Sequence, residues 1–288
     1  MAKRKPRPTP VLPDPLPGLV DAHTHLYSCG HRTADEVRAA ADRAGLAGVA
    51  AMVNVGDNLA ESEAVVASAE ADERVYAAVA VHPTRAREIT DPVGGEAVRA
   101  RLRELAAHPR VVSVGETGLD HYWVGKMDGC ADPAEQEESL RWHAGLAAEV
   151  GKCLMIHNRE ADDDLMRVLA EVAGPGSGVP SVMLHCFSSP VDVAREALER
   201  GYVLSFTGNV TFKANEHLRE AARLAPAGQL LVETDAPYMA PEPFRGARNE
   251  PGLVGYTART VAEVRGQSPE ELVAEVAETA RAVFGLTV

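Results

Sequence analysis

The sequence predicts an α/β protein built as a single (β/α)8 barrel of the TIM type. Three observations predict it. After residue 18, short runs rich in Val, Ala, Leu and Ile recur eight times, each apolar on both faces and each followed by a stretch with helical spacing. Strands that are apolar on both faces belong to a sheet covered by helices, and alternation with helices makes that sheet parallel. With 288 residues, 45% of them apolar, the chain suits one barrel around one core.

The predicted strands, in order, are LVDAH (19–23), GVAAMVNV (48–55), VYAAVAV (75–81), VVSVGE (111–116), CLMIH (153–157), SVMLH (181–185), YVLSFT (202–207) and QLLVETD (229–235). Each ends in, or runs straight into, Gly, Pro, His or acidic residues, the punctuation expected where a strand gives way to a loop. Helical spacing occupies 33–44, 59–69, 96–107, 134–150, 161–173, 190–200 and 214–224 between them, and 255–264 and 269–284 after the eighth. An open doubly wound sheet is the competing architecture. It would put a Gly-rich phosphate loop after the first strand, where this chain has HTHLYSCG.

The formal net charge is −13, yet residues 1–18 carry Lys3, Arg4, Lys5 and Arg7 against Asp14 alone, leaving about −16 on the remainder. So acidic a body disfavours a sequence-independent grip on long nucleic acid, and any phosphate-bearing substrate must be held locally. Six prolines in residues 1–18 block helix and sheet, so this stretch is expected to be a flexible basic arm, with the barrel domain spanning 19–288. No apolar run approaches the roughly 18–20 residues that cross a bilayer, and the N-terminus lacks the apolar segment of a signal peptide. A soluble cytoplasmic protein that makes no membrane contact is expected. Cys29, Cys130, Cys153 and Cys186 have no CxxC spacing and are expected to be reduced thiols.

In a barrel of this kind the active site lies where the C-terminal ends of the strands converge. His23 and His25 end the first predicted strand, Glu116 the fourth, His157 the fifth, His185 the sixth and Asp235 the eighth. One residue separates His23 from His25, so both project from one face of an extended chain. Taken singly, each has a plainer explanation: an HxH of packed histidines, a capping carboxylate, a turn-initiating Asp. Together, four histidines and two carboxylates at five strand ends describe a metal site. Imidazole with carboxylate suits Zn, Mn, Fe, Co or Ni, whereas a pure Mg site would be richer in oxygen. One ion would leave ligands spare. The expectation is two divalent ions bridged by Glu116, with His23, His25 and Asp235 on one and His157 and His185 on the other.

The stretches VDAHTHL, AVAVHP, VVSVGETGLDHYW, LMIHNREADDDLMRVL, VMLHCFSS, LSFTGNVTFK, LLVETDAPYMAP and FRGARNEP occur in this order between about residues 19 and 285. Through them the chain resembles the TatD-type metal-dependent deoxyribonucleases, a branch of the amidohydrolase superfamily. The resemblance implies a TIM-type barrel, one or two divalent metals (Mg included) and hydrolysis of DNA phosphodiesters, often from a 3′ end. Tyr27, Cys153 and Thr84 depart from the family's usual residues, and 124–132 reads as an insertion.

Metal-activated water needs a proton acceptor, and Asp235 is the candidate, with Glu116 beside it in the catalytic set. Glu233 is a candidate structural or catalytic partner. His82, Arg159, Lys213, Arg245 and Arg248 are candidate substrate-binding residues, each equally able to form an ordinary surface contact. Tyr122 and Trp123 are candidates for stacking on a base, or for packing their own loop. The expected partner is DNA at single-stranded ends. The alternatives are hydrolysis of a small amide, lactone or ester, and a catalytically silent metal-binding barrel.

Overall fold

The computed structural model describes residues 8–287. Its strands are β1 (Leu19–Thr24), β2 (Val49–Val55), β3 (Val75–Val79), β4 (Val111–Asp120), β5 (Cys153–Arg159), β6 (Val182–Leu184), β7 (Val203–Phe206) and β8 (Leu230–Val232). They form one parallel sheet in sequential order. Just above β8 the sheet curls back onto β1. Asp235 N–H donates to His23 O at 2.9 Å, His25 N–H donates to Ala236 O at 2.8 Å, and Thr24 bridges Ala236. The fold is therefore a (β/α)8 barrel.

Around the sheet run α1 (Ala34–Gly45), α2 (Leu59–Ala71), α3 (Arg87–Thr90), α4 (Gly95–Ala106), α5 (Pro133–Val150), α6 (Asp162–Val172), α7 (Val191–Glu199), α8 (Glu216–Leu224), α9 (Val254–Arg265) and α10 (Pro269–Phe284). Thr33, Asp132 and Ser268 open α1, α5 and α10 with capping boxes closed by Glu36, Glu135 and Glu271. All ten residues of β4 are buried, as a strand covered on both faces must be. Among the described residues no helix is long and apolar enough to cross a membrane.

Several expectations are corrected. β4 runs four residues past Glu116, because Thr117 to Asp120 continue the ladder onto Ile156 to Arg159. β8 stops at Val232, and Asp235 takes a left-handed backbone with φ of 51° as the chain turns toward β1. The 3-10 turn Pro83–Arg85 and α3 occupy the connection between β3 and α4, where no element was expected. The basic cluster of the expected arm, Lys3 to Arg7, lies outside the described residues. The rest of that stretch is docked: Leu16 is 2% exposed and donates its N–H to Ala47 O at 3.0 Å, while Val11 O and Asp14 O accept from Tyr256 and Arg259 of α9. Prolines forbid regular structure there but leave carbonyls to accept and rings to pack.

Candidate metal centre

The ladder is irregular where the site begins. Register between β1 and β2 shifts between Asp21 and Thr24, and between β4 and β5 between Val114 and Thr117, so the irregularities bracket His23 and Glu116. Gly118, paired with His157, has a φ of +140°, and a Cβ there would stand 2.0 Å from the His157 carbonyl oxygen. Only glycine lets β4 approach β5 so closely.

The structure brings the six expected ligands together. Donor atoms of His23, His25 and Glu116 lie within 4.8 Å of one another, and so do those of Glu116, His157 and His185. Glu116 divides its two oxygens between the sets. Oε1 is 3.4 Å from His25 Nε2, while Oε2 is 2.7 Å from His185 Nε2 and 3.1 Å from His157 Nδ1. Asp235 Oδ1 stands 3.5 Å from His25 Nε2 and 3.8 Å from His23 Nε2, and donor atoms of Asp235, His23 and His185 also lie within 4.8 Å of one another.

Each imidazole has its other nitrogen engaged away from the centre. His23 Nδ1 meets Met155 Sδ at 3.2 Å, His25 Nδ1 meets Val55 O at 3.1 Å, His157 Nε2 meets Asp120 Oδ2 at 3.2 Å, and His185 Nδ1 meets Glu233 Oε1 at 3.3 Å. Outer partners of this kind choose the tautomer and aim the inner lone pair. His23 Nε2 and His25 Nε2 thus stand 3.0 Å apart and aimed at one place, an arrangement that suits a shared cation.

Electrostatics follow from the crowding. Burial pushes the Glu116 carboxyl up, but His185 and His157 outweigh it and hold the group well below its usual range. Burial pushes His25 down, yet Asp57, Asp235 and Glu116 lift it to about 10. His185 and His157 are likewise raised against burial, by Glu116 with Glu233 and by Asp120 with Glu116 respectively. His82 goes the other way, to about 3, because burial and the His157 charge act together.

A cleft of about 960 Å³ opens over the centre. His82 and Arg159 line it. The His82 ring stands edge-on to His157 at 4.6 Å, and Arg159 lies 3.8 Å over the Tyr122 ring. Lys213, Arg245 and Arg248 stand outside it. Buried Asn249 holds the loop after β8 through Thr234 O and Tyr238 O, while Arg245 rests on Phe212 and Arg248 donates to Ser28 O at 2.9 Å. Trp123 lines the cleft, whereas Tyr122 already carries Arg159 and Lys126, each 3.8 Å from its ring. Sequence reasoning missed Asp57, Asp120 and Tyr238, all on the cleft wall. Asp120 stands four residues after Glu116 on β4, an even spacing that was the signal available.

The profile of a family described as TatD related DNase matches residues 20–285. A Mycobacterium tuberculosis relative, named as an uncharacterized metal-dependent hydrolase TatD, is 51% identical over 268 residues, covering 93% of this chain and 98% of the relative. A Cronobacter sakazakii relative, named as a 3′-5′ ssDNA/RNA exonuclease TatD, is 36% identical over 247 residues, covering 84% of this chain and 89% of the relative. Among solved structures, a TatD homologue from Escherichia coli shares the fold with a TM-score of 0.81 at 24% identity, covering 94% of this chain and 100% of its own.

Proposed function

This chain belongs to the TatD-related DNase family of metal-dependent hydrolases, and from that membership we propose that it removes nucleotides from the 3′ ends of single-stranded DNA. The observation that carries the reading is the pair of donor sets sharing Glu116 beneath a cleft walled by Arg159. The exonuclease name of the Cronobacter relative supports the substrate class.

The donor set fits two divalent ions: four aimed imidazoles with two carboxylates suit intermediate transition metals, and Glu116 has one oxygen for each side. His23, His25 and Asp235 would hold one ion, and His157 and His185 the other. Ions held there supply Lewis acidity, acidifying a water and polarising a phosphoryl oxygen. Asp235, at the cleft side of its set, takes the water's proton. Arg159 offers its planar fork to phosphate oxygens, since it stacks on Tyr122 and has no carboxylate partner among the described residues. His82 engages Thr84 through Nδ1 at 2.7 Å, which leaves Nε2 to hydrogen-bond substrate or support His157.

The test offers end-labelled single-stranded oligonucleotides with Mn2+, Mg2+ or Zn2+. Progressive shortening from the 3′ end is expected, and Asp235→Asn should slow it about a hundred- to ten-thousandfold. Intact oligonucleotides with every metal, alongside turnover of small amides or lactones, would overturn the reading in favour of carbonyl chemistry. Stoichiometric metal with no turnover of any substrate would leave a silent barrel.

A further inference from the structure

Six large apolar side chains are exposed among the described residues, and three of them, Met127, Tyr238 and Met239, line the one cleft above the donor sets. A scattered exposed apolar residue needs no explanation, but a cluster at a polar cleft does. Tyr238 is 55% exposed, although it follows Asp235 by only three residues. Its ring meets the His25 ring edge-on at 6.3 Å, and its hydroxyl makes no hydrogen bond among the described residues.

The backbone beneath it is held firmly. Tyr238 N–H donates to Asp235 O at 2.8 Å, and its carbonyl accepts from Asn249 Nδ2 at 2.7 Å. Asn249 is itself 2% exposed and also donates to Thr234 O. An aromatic ring left bare on so constrained a backbone is a platform whose root is placed before anything binds. Arg159 ends β5 and Tyr238 follows β8, so the two come from different strand ends around the cleft.

We propose that Tyr238 forms a stacking subsite for the base of the terminal nucleotide, with its chain neighbour Met239 beside it, while Arg159 takes the backbone phosphate. The assignment rests on the nuclease reading and extends it. A phenol face stacks on any base, so the subsite selects for the presence of a base rather than for its identity. Methionine thioethers adapt to bases of different size.

The experiment compares two single-stranded oligonucleotides, one with an ordinary 3′-terminal nucleotide and one whose terminal nucleotide carries a tetrahydrofuran in place of the base-bearing sugar. Tyr238→Ala should lower kcat/KM on the first by about tenfold, chiefly through KM, in line with the cost of losing one stacked base. It should leave the second unchanged, and Tyr238→Phe should behave as wild type on both. A second readout is the fluorescence of a 3′-terminal 2-aminopurine, quenched on binding to Asp235→Asn and restored when Tyr238→Ala is added. Equal loss on both oligonucleotides, or no loss on either, overturns the subsite while leaving the nuclease reading intact. Wild-type protein that cleaves neither overturns both.

Discussion

Asp120 and Glu233 illustrate how much of the centre depends on groups pointed away from it. Asp120 is 1% exposed and holds His157 Nε2, so the Nδ1 lone pair faces Glu116 and His185. Asp120→Asn keeps the shape but removes the charge that fixes this orientation. Metal affinity should fall about 10- to 100-fold, with little change in unfolding midpoint, when measured by competition against a chelating dye. Protonation makes a second demand. With His25 lifted to about 10, its imidazole carries a second proton near neutrality that a bound cation must displace. Metal binding should therefore release protons and tighten as pH rises. Calorimetry in buffers of different ionisation enthalpy measures that release, and a proton count of zero would contradict the argument.

Helix α5 does more than cover the sheet. Its His143 is fully buried, with Nδ1 donating to Ser139 O at 2.8 Å and Nε2 accepting the Val81 N–H at 3.1 Å. One neutral tautomer thus ties the helix to the end of the third strand segment, next to His82. Burial pushes this imidazole down to about 4, against an ordinary value of 6.5. The unfolded chain binds the extra proton first, so the contribution is complete above about pH 6.5 and is lost as pH falls toward 4. His143→Ala leaves the Val81 N–H without a partner and should cost about 1–3 kcal/mol at pH 7. Urea midpoints of the two proteins should converge as pH is lowered. Helices α1, α5 and α10 were legible because their helical spacing runs over twelve residues or more. Helix α3 was not, because four residues contain too little periodicity to register.

Closure of the barrel depends on residues 213 positions apart. Asp21, fully buried, accepts from Thr234 N–H at 2.8 Å and from its Oγ1 at 2.6 Å, stitching β1 to the segment after β8. That seam carries His23 and His25 on one side and Asp235 on the other. Asp21→Ala leaves two buried donors unmet and should lower stability by about 2–3 kcal/mol, read as a lower urea midpoint with an unchanged slope. Metal affinity should fall with it, since the two sides of the first donor set lose their common anchor.

The order of eight apolar runs determined the barrel from sequence alone, and the chemistry at their ends singled out six residues that the structure brings together. Both are periodic or positional signals, and side-chain direction in a strand follows from parity. Tertiary structure alone decided which cations face the cleft. Arg159 ends β5 and stays on the wall, whereas Arg245 and Arg248 lie on a loop whose course is set by Asn249, a contact with no sequence signature. The same loop leaves Tyr238 bare. Strand ends inherit their direction from the sheet, but a loop takes its direction from whichever distant groups satisfy its backbone.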